Sequence, residues 1–278
     1  MGLNLDIIGE RIDAGSMDYG TDQVILYALG IGAEVAGELD FLYEKNMKVF
    51  PTFAVYPFVP SLMPLAARSG INLPKVLHGE HKIVLHGPIP PRGRFITTAV
   101  CQSMYDKGDK GGIVNWVFET RDETGRLLFE NYAAVIDRSA GNFGGDRGPK
   151  SEKLDPPEGQ APDFEVDYLT SPDQAALYRL SGDKNPLHIE KEFAARGGLP
   201  RPILHGLCTF GYAGRAVLHQ VGGGDPSRLR TLAGRFLGVV FPGEKLTVQG
   251  WSRGEGKYLV RTFAGEGRPV LAAMAELV

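Results

Sequence analysis

The sequence predicts an α+β protein assembled from two copies of one unit, and three observations carry that prediction. Short helical segments are followed by several runs of alternating apolar and polar residues, an order that suits antiparallel sheets rather than strand–helix–strand crossovers. A stretch rich in glycine, proline and charge, Ser139 to Pro162, lies near the middle of the 278 residues. Segments on either side of it match one another, in the same order and at near-constant spacing.

The first match sets Asp22–Leu29 (DQVILYAL) over Asp173–Leu180 (DQAALYRL), with five of eight positions identical. Next, His86–Gly93 (HGPIPPRG) lies over Phe236–Gly243 (FLGVVFPG), and then GRLLFENYAAV from Gly125 over GRPVLAAMAEL from Gly267. Three matches in one order point to duplication. The expected organisation is a first domain over 1–138, a linker over 139–162 and a second domain over 163–278. The linker has almost no large apolar side chains, so it is expected to cross the surface.

Each copy is expected to open with a short helix, capped by Thr21 in the first and Ser171 in the second, with aspartate in the first turn where the helix dipole favours it. Strands follow over KIVLHGPI, FITTAVCQSMYD, GIVNWVFETRD and LLFENYAAVID in the first copy. In the second they fall over GRFLGVVF, KLTVQGWSRG, YLVRTFAG and PVLAAMAELV. From Ile203, ILHGLCTFGYAGRAVLHQ reads as a longer helix, apolar enough to be wrapped by a sheet.

Composition narrows the function. Lys and Arg total 30 against 33 Asp and Glu, a net charge of −3, which offers no field for nucleic acid. Cys101 and Cys208 are too few for a disulfide framework, so a reducing compartment is expected. The acidic start is unlike a signal peptide, no run of apolar residues is long enough to insert into a membrane, and AELV is not a peroxisomal address. A cytoplasmic location is the expectation.

The segment that suggests chemistry is SGDKNPLH, which places Asp183, Asn185 and His188 within six residues. Aspartate and histidine sharing a water make a minimal acid–base pair, and a neutral amide can polarise a carbonyl. The plain alternative is an Asn-Pro turn cap. Duplication separates the two readings. The first copy has Gly32, Glu34 and Gly37 at the matching positions, so the scaffold repeats while the polar trio does not. That asymmetry marks one working site and one degenerate partner. Downstream, Gly206 follows His205 at the start of the long helix, where unpaired N–H groups can stabilise a developing oxyanion.

Several other patterns carry nothing. Gly30-Ile31-Gly32 follows a helix and has the wrong spacing for a dinucleotide loop. His188, Glu190, Glu192 and His205 lack any zinc-site spacing, and Cys208 reads as an inert core thiol.

SGDKNPLH followed by PILHGLCTFG resembles the signature of the type 2, R-specific enoyl-CoA hydratases, the MaoC-like dehydratase family. The whole chain is similar to the double hot-dog hydratase of the peroxisomal multifunctional enzymes, through ILYALGIGA, ELDFLYE, PTFAV and VLHGEH in the first half. The resemblance implies a tandem, double hot-dog fold, with antiparallel sheets each wrapped around a central helix. It implies reversible syn hydration of trans-2-enoyl-CoA to (3R)-3-hydroxyacyl-CoA, with no cofactor and no metal. Asp183 and His188 would hold the water, and Asn185 with the Gly206 N–H would form the oxyanion hole. The first half would have lost catalysis and would shape the acyl-chain space, with His78, Gly79 and Lys107, together with Phe236, touching substrate or CoA. Acyl-CoA is then the expected partner, and a homodimer is possible. The rival functions are an acyl-CoA thioesterase on the same fold and a non-catalytic acyl-CoA binder.

Overall fold

The computed structural model of the chain describes residues 2–278. Five strands precede the linker region: β1 (Arg11–Tyr19), β2 (Val76–Leu85), β3 (Gly93–Asp106), β4 (Gly112–Arg121) and β5 (Leu127–Asp137). Five follow it: β6 (Phe164–Leu169), β7 (Leu229–Phe236), β8 (Lys245–Ser252), β9 (Lys257–Ala264) and β10 (Arg268–Leu277). The helices are α1 (Thr21–Gly30), α2 (Val35–Glu38), α3 (Phe58–Ser69), α4 (Gln174–Tyr178), α5 (Lys191–Arg196) and α6 (Gly206–Gln220).

All ten strands form one sheet in the order β1-β3-β4-β5-β2-β7-β10-β9-β8-β6. The order reads the same from either end once β1 is matched with β6, β2 with β7, β3 with β8, β4 with β9 and β5 with β10. Duplication in the sequence has become a pseudo-two-fold axis in the sheet. The axis runs between β2 and β7, which pair antiparallel from Glu80 with Arg235 to Val84 with Thr231. No element lies between β5 and β6, and the linker is tied down along its path. Asp106 accepts the N–H groups of Asn142 and Gly144, and Trp251 Nε1 donates to the Gln160 carbonyl.

In the second half the sheet wraps α6, and every residue from Leu207 to Leu218 is buried. The first half lies against the same helix. A Cβ on Gly211 would stand 2.3 Å from Ile31 Cγ2, and one on Gly214 would stand 2.4 Å from Thr52 Cγ2, so both glycines are there for close approach. Cys208 Sγ donates to the Gly30 carbonyl, and burial pushes its thiol well above the ordinary range. No helix among the described residues is long and apolar enough to cross a membrane.

The structure departs from the sequence reading at several elements. Each half opens with a strand, β1 or β6, before its short helix. Both are edge strands; β1 is broken by a bulge between Asp13 and Ser16, whereas β6 (FEVDYL) alternates apolar and polar residues but is only six residues long and follows directly on the polar linker. Gly20, not Thr21, is the N-cap of α1, because the Gln23 side chain accepts from the Gly20 N–H. Asp173, not Ser171, is the N-cap of α4, and Gln174 accepts from the Ser171 N–H in the matching way. The strand expected over GRFLGVVF stops at Phe236, and the one expected from Lys82 begins already at Val76.

The first half also fills its sheet differently. A 3₁₀ turn (Pro51–Val55) takes the middle, and the shorter helix α3 lies toward β1. Prolines 51, 57, 60 and 64 explain this, since each removes an N–H donor and crowds the preceding turn.

Candidate active site

The loop after α4 is set by local chemistry. A 3₁₀ turn, Arg179–Ser181, ends at Gly182, whose φ of +112 reverses the chain. A Cβ there would meet the Tyr56 carbonyl at 3.2 Å and Pro60 Cδ at 3.4 Å, so the first half forms the floor beneath the loop. Asp183 Oδ1 accepts the Asn185 N–H at 3.0 Å, and Asn185 Oδ1 accepts the Leu187 N–H at 3.0 Å. The turn-capping role of Asn185 is therefore real. It uses only the oxygen and leaves Nδ2 as a donor, an orientation assigned from this network.

His188 ends the next 3₁₀ turn and is buried. Its Nδ1 lies 2.8 Å from the Ile203 carbonyl, which can only accept, so the proton of the neutral ring sits on Nδ1 and Nε2 keeps its lone pair. That Nε2 is 3.8 Å from Asp183 Oδ2, too far for a direct hydrogen bond and close enough for one water to reach both. Burial holds the His188 imidazole below its ordinary range, against the pull of Asp183 and of the Ile203 carbonyl.

His205 backs this pair. Its ring stacks on His188 with centroids 3.6 Å apart, and its Nε2 donates to the Asp183 carbonyl at 3.0 Å. Burial, then the neighbouring His188, pushes His205 down to about 2. One potential ligand atom from each of Asp183, His188 and His205 lies within 4.8 Å of the others. One nitrogen of each ring is committed to a backbone carbonyl.

Gly206, the first residue of α6, carries a first-turn N–H that the helix leaves unpaired. The Phe236 ring lies over it, 3.1 Å from where a Cβ would stand. His78 is a tilted neighbour of that ring, centroids 5.0 Å apart, and stacks on Phe58. Gly79 forms the bulge beside it, where a Cβ would meet Ile136 Cδ1 at 2.8 Å. Asp183, Asn185, His188 and Gly206 thus share one neighbourhood, which Phe236, His78 and Gly79 extend across β7 and β2. Lys107 is not joined to it by any of these contacts. Its Nζ donates to the Arg147 carbonyl and lies 5.5 Å from the Tyr105 ring centroid, just past the C-terminal end of β3.

Residues 153–268 match the model of the MaoC like domain, and residues 17–139 match that of the MFE-2 hydratase 2 N-terminal domain. The chain is 37% identical over 271 residues to 3-hydroxyacyl-thioester dehydratase Y of Mycobacterium tuberculosis, covering 94% of this chain and 92% of that one. The chain belongs to the MaoC-like, hydratase 2 family. It is also 39% identical to the peroxisomal multifunctional enzyme type 2 of Drosophila melanogaster, over 88% of this chain but only 43% of that longer protein. Among solved structures, a MaoC-like dehydratase from Phytophthora capsici superposes with a TM-score of 0.89 at 29% identity, covering 99% of this chain and 98% of that one. The architecture of this MaoC-like chain is a double hot-dog fold.

Sequence reading missed the support around the site. The sequence places His205 beside Gly206 at the start of the long helix but gives no sign that its ring packs on His188. The buried trio Glu38, Arg215 and His219 was not noticed at all, although a lone arginine inside an apolar helix was its signal. In a third group, His78 and His81 share one strand, β2, but Asn131 behind them has no signal in spacing because it lies on β5.

Proposed function

We propose that this chain catalyses reversible syn hydration of trans-2-enoyl-CoA to (3R)-3-hydroxyacyl-CoA. The observation that carries the reading is the lone pair of His188 Nε2 facing Asp183 Oδ2 across 3.8 Å, beside the helix N-terminus at Gly206. A water bound between the two gives one proton to His188 as its oxygen bonds to C3 of the enoyl group. The C2=C3 electron pair moves into the thioester, placing negative charge on its oxygen. Asn185 Nδ2 and the Gly206 N–H are the donors for that oxygen, each worth on the order of 3 kcal/mol to the transition state. The proton then passes to C2 from the same side, so one acid–base pair on one face gives syn addition. Lys107 remains a candidate contact for a CoA phosphate outside this cluster.

The test is loss of the enoyl-thioester ultraviolet band with crotonyl-CoA and with a C8–C12 enoyl-CoA, alongside a thiol reagent. Loss of the band without thiol release supports the reading. Thiol release would mean a thioesterase, and binding with neither change would mean an acyl-CoA binder. The stereochemistry is read by coupling the product to a 3R-specific dehydrogenase.

The pH profile is a second expected outcome. Protonated His188 cannot take a proton from water, so kcat/KM should fall on the acid side. Because burial holds His188 down, the midpoint should lie below 6.5, and the rate should be level by pH 7. A midpoint above 7 would show that another group sets the limb.

A further inference from the structure

Behind His78 runs a buried chain of polar groups that the proposed mechanism does not use. Asn131 Nδ2 donates to the Ala54 carbonyl at 3.0 Å, which turns Oδ1 toward His81 Nε2, 2.9 Å away. An amide oxygen only accepts, so His81 carries its proton on Nε2 and its Nδ1 is an acceptor. That Nδ1 lies 3.2 Å from His78 Nε2, which must therefore be the donor. The anchor at Ala54 thus sets each proton in turn. His78 is left protonated on Nε2, and Nδ1 carries the lone pair of the ring. Phe58 and Phe210 pack edge-on against His81, so its ring is held as well as its proton. Burial and the adjacent imidazole keep His78 neutral, well below its ordinary range, and burial holds His81 down at about 4.

We infer that His81 and Asn131 are positioning residues that fix this tautomer of His78, so that His78 accepts a hydrogen bond from the amide N–H nearest the thioester of the CoA arm. The inference rests on the proposed function. The chemistry of the substrate selects the partner. Neither the enoyl chain nor the thioester carries a donor, so the first N–H along the ligand is the cysteamine amide, two carbons beyond sulfur. His78 lies one ring, that of Phe236, away from Gly206, where the thioester oxygen is proposed to bind.

The test uses the whole chain and a pair of small thioesters of whichever enoyl acid the CoA assay shows to be hydrated. One is the N-acetylcysteamine thioester. The other is its 2-acetoxyethyl counterpart, in which oxygen replaces the N–H. The unsubstituted chain should hydrate the amide form about fivefold more efficiently, the worth of one ordinary hydrogen bond, with the difference in KM. His81→Leu should bring the ratio to about one while kcat changes little. His81→Gln, whose amide can accept from His78 and donate to Asn131, should keep the preference. Nitrogen-15 NMR should show His78 protonated on Nε2 in both the unsubstituted chain and H81Q, which decides the matter even if H81L does not fold. Equal rates for the two thioesters in the unsubstituted chain, or a proton on Nδ1 of His78, would overturn the inference and leave the hydratase reading standing. No hydration of any enoyl thioester would overturn both.

Discussion

Asp183→Asn is expected to lower kcat by about a thousandfold or more while the protein stays folded. The substitution isolates chemistry from structure because of how the two carboxylate oxygens are used. Oδ1 accepts the Asn185 N–H that shapes the loop, and an asparagine oxygen can do the same. Oδ2 faces His188, and there the amide supplies neither the charge nor the second acceptor that a shared water requires. Loss of a positioned acid–base group costs on the order of 10²–10⁴ in rate. Asp183 is about a quarter exposed, so the melting temperature should move by no more than a few degrees. His188→Gln is the companion variant, removing the lone pair while keeping a donor for the Ile203 carbonyl. Circular dichroism checks the fold and the ultraviolet assay the rate. If both folded variants retain activity within tenfold of the original, this pair is not the catalytic one.

The trio was legible because it is local, with three polar residues in one turn and no counterpart in the first copy. The structure shows why that counterpart is missing. Gly32, which aligns with Asp183, has a φ of +77, and a Cβ there would stand 2.3 Å from the hydroxyl of Tyr212 on α6. The central helix of the second half has filled the space where the first half would have kept its own aspartate. A single sheet cannot wrap two equivalent helices when one of them is packed on by both halves, and the prolines of the first half complete the asymmetry. Duplication was legible for the same reason as the trio, since it lies in the order of residues along the chain. His205 against His188, Asn131 behind His81, and Glu38 against Arg215 are contacts between distant segments. No periodicity records them. The edge strand β1 escaped for a different reason, because its bulge breaks the alternation, whereas β6 alternates over FEVDY and was legible in principle despite its short length beside the polar linker.

Glu38→Gln is expected to cost about 3 kcal/mol of stability, which for a chain of this size lowers the melting temperature by roughly 6–12 °C. Glu38 of the first half receives Arg215 Nε at 2.7 Å and Nη2 at 2.5 Å, and His219 Nε2 lies 2.7 Å away. Both partners of the Arg215 pair are buried, and the guanidinium also stacks over the Tyr168 ring at 4.6 Å. A glutamine fits the space but leaves that guanidinium in the interior without its counter-charge, and this is the costly half of a buried pair. Removing both charges, as E38Q with Arg215→Met, should recover much of the loss; a double variant no better than E38Q would show that the cost comes from packing instead.

The same pair predicts acid sensitivity. Burial alone would raise the Glu38 carboxyl, but the adjacent His219 and hydrogen bonds from Arg215 and the Glu34 N–H outweigh it and hold the group down at about 2. A depressed carboxyl binds its proton more readily in the unfolded chain, so its contribution is complete above an unfolded value near ~4.3 and fades as pH falls toward 2. The unsubstituted chain should therefore lose stability between about pH 5 and pH 2 more steeply than E38Q does, and urea midpoints across that range read the difference. Parallel curves for the two would remove Glu38 from the acid response. The pair fastens residues 34–38 of the first half to the end of α6 whose other end carries Gly206, so holding the halves together and holding the site in place fall to one helix.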